Sequence, residues 1–512
     1  MQTAAMEINI AAKESLIAPE TVVEFFHALN RAGVRYCHWK SNIRLVEGLN
    51  GRTDLDLLVD PEHRPIFQQF LAEYDIKPLV AAPGKGYPGI ENHLGFDPAS
   101  GNLFHLHVHY KLVLGEQFVK NYHLPLEKQF LDSVSICHGV KIPSPELELI
   151  VFSLRALLKY RDRDAMKDTL SIRTPGLPGA VRQEVIWLLD QTSIERVVQT
   201  LGGLTDIVPA SLITDFLQTV TTTPRDGRKL YHLRSQVREL LSRHQRHGRL
   251  HASTTYFREA WRRRKSSSTR KMTLMHQGPK VALIGADGSG KSTMTKLLYK
   301  WLTWKLDVQL FYMGSKKPSR LSDWSYIVFR MARRSHTILS GVVGEKSLPA
   351  RGLASLGQML FYAHHLSLAY DRYQRYRDSQ REAAVGSFVM YDRYPLEAPL
   401  DGPKIHLLAE GNDSRLGHAF AKVEEMIYQK IGPPDHYIVL DVSPEVSLER
   451  KPDHDGEAIR AKSQLLRKFM TTARHPSASF DLIHIDADLP FAEVVDQLKC
   501  SVWQLLIIGH DY

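Results

Sequence analysis

The sequence is poor in cysteine. Its 512 residues include only Cys37, Cys137 and Cys500, which are far apart and odd in number. This scarcity excludes a disulfide scaffold and a cysteine-based zinc module, and it favours a reducing compartment. The 32 glycines and 26 prolines are too few for a collagen-like or wholly disordered chain.

Long apolar runs are missing as well. The longest, residues 147–158, is interrupted by Glu148 and Arg155, so we expect neither a membrane-spanning helix nor stable insertion into a membrane. The first 13 residues lack a basic stretch followed by an apolar one, so we expect no secretory signal. With 43% apolar and 24% charged residues, the composition predicts a cytoplasmic protein with two or three globular domains.

Basic charge is concentrated in one segment. Residues 225–271 contain 15 Lys and Arg but three acidic side chains, a net charge of +12 in a chain that totals +10. Two interpretations stay open: a solvated helix between domains, or a patch for nucleic acid, an anionic membrane or a polyanionic substrate. The segment divides the chain into an N-terminal domain (residues 16–224), a basic helical linker (225–278) and a C-terminal domain (279–512).

The C-terminal domain begins with the pattern of a phosphate-binding loop. Residues 280–284 form an apolar run that predicts a buried strand, and residues 294–301 have apolar side chains at helical spacing. The glycine-rich turn between them contains the predicted nucleotide-binding residues Gly285, Asp287, Gly288, Ser289, Gly290, Lys291, Ser292 and Thr293.

Such a loop binds a nucleoside triphosphate mainly through its backbone. The glycines let N–H groups point at phosphate oxygens, and the following helix adds its positive N-terminal end. Lys291 would supply a mobile cation for the β- and γ-phosphates, and the Ser292 hydroxyl would ligate Mg²⁺. The pattern therefore predicts ATP and Mg²⁺ as cofactors.

The loop resembles that of thymidylate kinases and related nucleoside monophosphate kinases. Four later segments resemble the same family in the same order: residues 387–394 as a strand ending in Asp-Arg-Tyr, 437–445 as the next strand and turn, 448–462 as the mobile lid, and 483–487 as the last strand. The resemblance implies an α/β fold with a parallel sheet and phosphoryl transfer from ATP.

Asp392 and Arg393 stand at the end of one of these strands. The Asp392 carboxylate would emerge at the carboxyl edge of the sheet, where it could hold Mg²⁺ through water or accept a proton from the acceptor. Arg393 can clamp an acceptor phosphate with two parallel hydrogen bonds. A buried ion pair at a strand end is the structural alternative for these two residues.

Arg450 and Arg460 occupy the place of the lid. As catalytic residues they would close over the transferring phosphoryl group and neutralise its developing charge. In the family that the sequence resembles, glycine at the position of Gly288 accompanies catalytic arginines in the lid, which implies that role here. Exposed helix arginines without a catalytic role are the alternative.

The acceptor half of the site departs from thymidylate kinases. This chain has Gly-Ser-Lys-Lys at residues 314–317 where they have an acidic-Pro-Gly-Gly segment, and an additional stretch, residues 319–350, follows. Asp371-Arg372 resembles their base-reading pair, which makes Arg372 a candidate substrate contact, but Leu368 replaces the aromatic residue that stacks on thymine. The sequence therefore favours a phosphorylated or polyanionic acceptor other than thymidylate.

The N-terminal domain has two aspartates, Asp54 and Asp56, in a run that predicts a strand. Residues two apart on a strand point to the same face, so the pair can share a divalent metal. Lys40-Ser41 lies 13 residues before Asp54, where DNA polymerase β-like nucleotidyltransferases place a Gly-Ser loop. This resemblance implies an α+β nucleotidyltransferase-like domain.

That superfamily adds a third carboxylate from a later strand. The strand predicted at residues 103–109 has no acid and places three histidines on one face: His105, His107 and His109. They could ligate a metal themselves, or simply pack beside a pocket. Glu91 or Asp97 would have to reach in from a loop to complete the carboxylates. The domain is thus either an active nucleotidyltransferase or a degenerate binding or regulatory module.

The sequence as a whole predicts a kinase that moves the γ-phosphate of Mg-ATP to a phosphorylated small molecule, nucleoside monophosphates among the candidates. One alternative is a bifunctional nucleotidyltransferase and kinase acting on a sugar or polyanionic metabolite. Another is a nucleic-acid-binding P-loop ATPase, with the basic linker as its polyanion contact. The oligomeric state stays open, a dimer included.

Overall fold

The computed structural model describes residues 20–82, 85–87, 89–115, 119–160, 164, 177–204, 207–222, 226–265, 270–314, 318–396, 402–405, 415–473 and 480–506. The chain forms two compact units, Met1–Arg270 and Lys271–Tyr512, and the division falls inside the predicted linker. Within the described ranges, no helix is both long enough and apolar enough to cross a lipid bilayer.

The first half of the N-terminal unit combines helices with a sheet. The strands are β1 (Tyr36–His38), β2 (Asp54–Val59), β3 (Lys77–Val80), β4 (Ile90–Asp97) and β5 (Asn102–His109), and two short hairpins follow, β6 (Val113–Leu114) with β7 (Tyr122–His123) and β8 (Ser135–Cys137) with β9 (Val140–Ile142). The helices are α1 (Glu20–Arg31), α2 (Leu45–Leu49), α3 (Arg64–Glu73) and α4 (Glu127–Asp132).

In this sheet the strands β1 to β5 lie side by side in the order β1-β2-β5-β4-β3. β2 is parallel to β5, and the other neighbours are antiparallel. Because strand side chains alternate between faces, Leu55 and Leu57 of β2 join Leu106 of β5 in the core beneath α1 and α3. The opposite face therefore carries the intervening polar side chains, Asp54 and Asp56 among them.

The second half of this unit is helical. Its helices are α5 (Pro145–Lys159), α6 (Gly179–Leu189), α7 (Ile194–Gly202), α8 (Ala210–Thr222), α9 (Gly227–Leu240) and α10 (Arg249–Lys265). α5 begins after Ser144, whose hydroxyl accepts a hydrogen bond from the Leu147 N–H, and it is buried along most of its length. Leu230, Leu233 and Val237 of α9 are buried in the same core, so this helix of the basic segment packs within the unit.

The C-terminal unit is an α/β fold, which confirms the predicted parallel sheet. Its strands are β10 (Thr273–Leu274), β11 (Lys280–Gly285), β12 (Val308–Tyr312), β13 (Phe388–Asp392), β14 (His436–Asp441) and β15 (Asp481–Asp486). The last five form one sheet in the order β12-β13-β11-β14-β15, and every neighbouring pair is parallel. The apolar runs of β11, β13 and β14 are buried, as strands covered on both faces require.

The helices of this unit are α11 (Lys291–Leu302), α12 (Arg320–Val343), α13 (Leu348–Ala384), α14 (Arg415–Tyr428), α15 (Pro444–Arg450), α16 (Gly456–Ala473) and α17 (Phe491–Gln504). The additional stretch at residues 319–350 forms α12 and the first residues of α13. The Ser319 hydroxyl caps α12 by accepting from the Ser322 N–H. These two long helices pack against each other before the chain enters β13.

Candidate functional site

The phosphate-binding loop lies at the centre of the parallel sheet. It follows β11, which pairs with β13 on one side and β14 on the other, and it ends where α11 begins at Lys291. Ligands of open α/β sheets bind at the carboxyl ends of strands where neighbouring connections diverge. The predicted strand, turn and helix are thus confirmed, and the loop lies at the position where such sheets bind ligands.

Two glycines of the loop are required by close contacts. Gly288 has a φ of +86°, and a Cβ there would come within 2.8 Å of the Ser447 Oγ and 3.0 Å of the Ser447 carbonyl oxygen. At Gly285 a Cβ would lie 2.6 Å from the Leu440 carbonyl oxygen of β14. Neither position accepts a larger residue without moving the backbone, so both glycines fix the path of the loop.

Lys291 folds back over this loop. Its Nζ donates hydrogen bonds to the carbonyl oxygens of Gly285 at 2.8 Å and Ala286 at 2.6 Å. Burial lowers the pKa of Lys291 to about 8; Asp287 opposes that shift and Arg393 adds to it. The amine is therefore held on the carbonyl oxygens of the loop among other charged groups, and phosphate oxygens bound there would raise its pKa again.

The helix α16, which we call the lid helix, contacts the loop through Lys462. Its Nζ lies 2.5 Å from Oδ2 of Asp287. Burial alone would raise the pKa of Asp287, but the bond and charge of Lys462 outweigh it and hold that pKa below its ordinary value. Arg460, the residue predicted to act from the lid, is exposed two positions earlier on the same helix. Lys462 ends the segment that the sequence analysis assigned to the lid, but its contact with Asp287 was not predicted.

Helix α15 contacts the loop from a second direction. The Ser447 hydroxyl donates to the carbonyl oxygen of Asp287. Arg450 reaches from its Nη1 to the Gly288 carbonyl oxygen at 3.5 Å, and from its Nη2 to the Ala487 carbonyl oxygen at 3.0 Å. Of the two predicted lid arginines, Arg450 therefore lies directly against the phosphate-binding loop.

Asp392 ends β13 beside the loop, since its Cα is in register with Leu283 of β11. Its Oδ1 is buried and has no hydrogen-bond partner among the described residues, and the same holds for the Ser289 Oγ in the loop. Burying a polar atom without a hydrogen bond is energetically unfavourable, so these two oxygens indicate a position for a ligand. Arg393 follows with a φ of +60°, a left-handed conformation that is uncommon for arginine.

The predicted acceptor pair is deeply buried. The Asp371 Oδ2 accepts from the Ser319 N–H and the Ser322 hydroxyl, both at 2.8 Å, at the start of α12. The Arg372 Nε donates to the Met313 carbonyl oxygen at 2.7 Å, and its Nη1 bonds the Tyr428 hydroxyl. Both side chains thus brace the loop that follows β12. The two lysines at residues 316–317 lie outside the described residues.

A second constellation lies in the N-terminal unit, on the polar face of its sheet. Register pairs Asp54 with His105 and Asp56 with His107. Each histidine Nδ1 is 2.8 Å from Oδ1 of its aspartate. The aspartates do share a face, as predicted, but imidazoles occupy the place beside them where the nucleotidyltransferase resemblance expects a third carboxylate.

Asp56 also has a cationic partner. Lys40 Nζ lies 2.6 Å from Asp56 Oδ1, and His109 Nε2 lies 3.4 Å from the same oxygen. Burial alone would raise the pKa of Asp56, but Lys40 and the histidines outweigh it and hold the pKa well below its usual range. Asp56 is therefore a carboxylate enclosed by an ammonium and two imidazoles.

Further cations surround this site. Burial lowers the pKa of Lys120 to about 7 and that of Lys159 to about 8, and Lys40 and Arg155 add to both shifts. Arg155 also donates to the Ser41 hydroxyl at 3.1 Å, in the loop where the resemblance expects phosphate contacts. The positive charge is suited to an anionic ligand.

Neither Glu91 nor Asp97 reaches in from a loop to complete the carboxylates. Both belong to β4, and register places Asn92 rather than Glu91 opposite His107, so Glu91 points to the other face of the sheet. There Glu91 is 2.5 Å from an Arg64 guanidinium nitrogen. Asp97, at the far end of the strand, accepts hydrogen bonds from Thr21.

Comparison with known proteins finds relatives for part of the chain. No protein-family model matches the sequence. The Escherichia coli K12 protein described as "Uncharacterized ATP-binding protein YghR" is 26% identical over 239 residues, which are 45% of this chain and 88% of that protein. "Uncharacterized ATP-binding protein YghS" from the same strain is 26% identical over 202 residues, 38% of this chain and 82% of that one.

Solved structures similar to part of the chain include deoxyadenosine kinase from M. mycoides. The form with bound dATP has 14% sequence identity and a TM-score of 0.27, and it covers 44% of this chain and 98% of its own. The form with bound dCTP has 15% sequence identity and a TM-score of 0.26, and it also covers 44% of this chain and 98% of its own.

Proposed function

We propose that the C-terminal unit is an ATP-dependent kinase that moves the γ-phosphate of Mg-ATP to a phosphorylated small molecule. The carrying observation is Lys291, held over the phosphate-binding loop beside Asp392, whose Oδ1 is buried without a hydrogen-bond partner in the described structure. A mobile cation and an aimed carboxylate at one edge of a sheet are the parts that phosphoryl transfer needs.

ATP is the proposed donor because the loop has backbone N–H groups and a helix N-terminus for a triphosphate. The names of both bacterial relatives describe them as ATP-binding, which supports the same nucleotide. Lys291 would exchange its two carbonyl partners for β- and γ-phosphate oxygens.

The residues present fit a magnesium ion. Ser292 stands at the first turn of α11, and Asp392 has a buried oxygen without a hydrogen-bond partner in the described structure. These two would hold Mg²⁺, Ser292 directly and Asp392 through water. When bound, the ion would neutralise charge on the β- and γ-phosphates. Thr293, next along α11, would line the same end of the loop.

Basic side chains would stabilise the charge that develops during transfer. Arg450 already lies against the loop, and Lys462 is held on Asp287 at its edge. Arg460 is exposed on the lid helix, from where it would close over the phosphoryl group. Three cations from α15 and the lid helix thus take the role that the resemblance gave to two arginines.

The acceptor would be phosphorylated, with nucleoside monophosphates among the candidates. Arg393 follows the Asp392 strand end in a left-handed backbone conformation, and its charge acts on Lys291, so it would clamp an acceptor phosphate near the loop. Arg372 would support the acceptor site without touching the substrate, because its guanidinium is hydrogen-bonded to the Met313 carbonyl oxygen and the Tyr428 hydroxyl. A contact of Arg372 with substrate would require those bonds to be exchanged.

The test uses ATP labelled separately at its α- and γ-phosphates. The full chain is incubated with each form and Mg²⁺, together with a panel of nucleoside monophosphates, sugar phosphates and unphosphorylated controls. We expect γ-label to move to a phosphorylated acceptor while α-label stays in ADP. Transfer of the α-label alone would overturn the kinase proposal.

Nucleotidyl transfer by the N-terminal unit is the second candidate function. The observation in its favour is the Asp54 and Asp56 pair beside a loop in which Arg155 donates to Ser41. Against it, imidazoles stand where the third carboxylate is expected. The α-label arm of the same experiment decides this, because nucleotidyl transfer would carry the label into the acceptor and release pyrophosphate.

A further inference from the structure

The N-terminal unit contains a group of nitrogen and oxygen ligands that the proposed kinase reaction does not use. Asp56 on β2 and His107 on β5 are register partners in parallel strands, and His109 follows two residues later on the same face. One potential ligand atom from each of the three side chains lies within 4.8 Å of the other two. The sheet therefore brings three metal-ligating groups to one point.

The state of His109 is the second, independent observation. Its side chain is fully buried, and neither ring nitrogen has a hydrogen-bond partner among the described residues. Its Nε2 lies 3.4 Å from Asp56 Oδ1. Buried imidazole nitrogens normally have a partner, so a nitrogen aimed at a carboxylate without a hydrogen bond points to a ligand that both groups share.

We propose that Asp56, His107 and His109 bind a first-row divalent transition metal ion. Metal bonds of about 2.0–2.2 Å place neighbouring ligand atoms roughly 3–4 Å apart, so a spacing within 4.8 Å needs only small side-chain rotations. Two imidazoles and one carboxylate suit Zn²⁺, Co²⁺ or Mn²⁺, whereas Mg²⁺ prefers oxygen ligands throughout. This ligand set shares Asp56 with the magnesium site predicted on Asp54 and Asp56 but replaces Asp54 with two imidazoles.

Lys40 would compete with the metal ion for the Asp56 carboxylate. Its ammonium lies 2.6 Å from Asp56 Oδ1, where it neutralises the same carboxylate. Trp39 packs edge-on against the His109 ring at a centroid distance of 5.2 Å, which fixes that imidazole. Metal binding therefore requires Lys40 to move away while the histidines stay in place, and removing the Lys40 charge should strengthen binding.

The experiment titrates Co²⁺ into the metal-stripped full chain without nucleotide and follows its visible d–d absorption. We expect one ion per chain at this site, displaced by Zn²⁺. His109→Gln and His107→Gln should each weaken binding by more than about tenfold. Lys40→Met should strengthen it. The control is His27→Gln, which removes an exposed histidine of α1 and should bind as the wild type does.

Several results would overturn the proposal. The proposal is wrong if the wild-type protein binds neither Co²⁺ nor Zn²⁺. It is also wrong if His107→Gln and His109→Gln both bind the metal as tightly as the wild type does. Because His109 is buried, circular dichroism checks whether its variant folds. If that variant does not fold, the test rests on the variants of His107 and Lys40, whose side chains are partly exposed. Unchanged affinity in both His107→Gln and Lys40→Met would then contradict the proposed site.

Discussion

Lys462 Nζ lies 2.5 Å from Asp287 Oδ2, and this contact joins the lid helix to the phosphate-binding loop. The two residues are far apart in sequence, and both side chains are partly exposed. The bond positions a cation at the edge of the loop before any phosphate arrives. It also holds Asp287 ionised, because Lys462 keeps the pKa of that carboxyl below its ordinary value against the opposing effect of burial.

Lys462→Met should weaken both ATP binding and phosphoryl transfer. The loop would lose its link to the lid helix, and a charge-assisted contact of this kind contributes about 1.5–3 kcal/mol when it is well formed, less when partly exposed. We expect ATP affinity to fall by roughly threefold to tenfold and the transfer rate to fall further, because charge increases during the reaction. Calorimetry and steady-state kinetics measure the two effects.

Lys468→Met is the matched control for that prediction. Lys468 is exposed on the same helix, so its loss removes an equal charge without touching the loop. ATP binding and transfer should stay at wild-type values in this variant. Equal effects of the two substitutions would mean that the helix acts by its overall charge, and the contact with Asp287 would have no specific role.

Thymidylate should be a poor acceptor. Leu368 stands in place of a stacking aromatic residue, and a base that loses such a face loses about 1–3 kcal/mol of binding. The adjacent pair, Asp371 and Arg372, is held by α12, Met313 and Tyr428 and is not free to read a base. Steady-state assays against all monophosphates check this. A kcat/KM for thymidylate above ~10⁴ M⁻¹s⁻¹ would contradict it.

Glu148 should make the stability of the N-terminal unit depend on pH. Its Oε1 accepts from the Asn42 N–H at 3.0 Å, and its Oε2 accepts from the Asn42 Nδ2 at 2.7 Å. Burial raises the pKa of Glu148 to about 7 from an ordinary value of 4.5. The folded state therefore binds the proton more tightly, so stability is full below 4.5, falls as pH rises to about 7, and is constant above that.

Glu148→Gln should remove this dependence, because the amide does not titrate. Relative to the wild type, the variant should gain up to about 1.4 kcal/mol for each pH unit across that interval. Urea unfolding at about pH 5 and about pH 8 compares the two proteins. Glu73→Gln, an exposed change on α3, is the control. If the free energies of unfolding of the wild type and Glu148→Gln differ by the same amount at both pH values, the prediction is wrong.

The local parts of the fold could be predicted from the sequence. The apolar run of β11, the glycine-rich turn and the amphipathic start of α11 are contiguous, so their pattern contains the whole phosphate-binding loop. The parallel sheet was implied by the resemblance of the later strand segments to thymidylate kinases, and it is confirmed. Residues 319–350 are the exception, because nothing in their pattern predicted the long hairpin of α12 and α13.

Contacts between distant segments could not be predicted. The Lys462 contact joins two segments of the C-terminal unit 175 residues apart, and no local pattern specifies it. The pairing of Asp56 with His107 depends on the register of β2 against β5. The register of β4 against β5 places Glu91 one residue out of phase with the polar face, which excludes it as the third carboxylate. Side-chain direction in a sheet is decided by pairing, which the sequence alone leaves undetermined.

Single-turnover transfer of γ-labelled phosphate by Lys291→Ala tests the central claim most directly. Lys300→Ala, an exposed change on the same helix, is the control. The Lys291 ammonium is held on the carbonyl oxygens of the loop, so its loss should slow transfer by at least about 100-fold, with the Lys300 variant unchanged. Transfer by Lys291→Ala at the wild-type rate would show that the phosphate-binding loop does not carry the reaction.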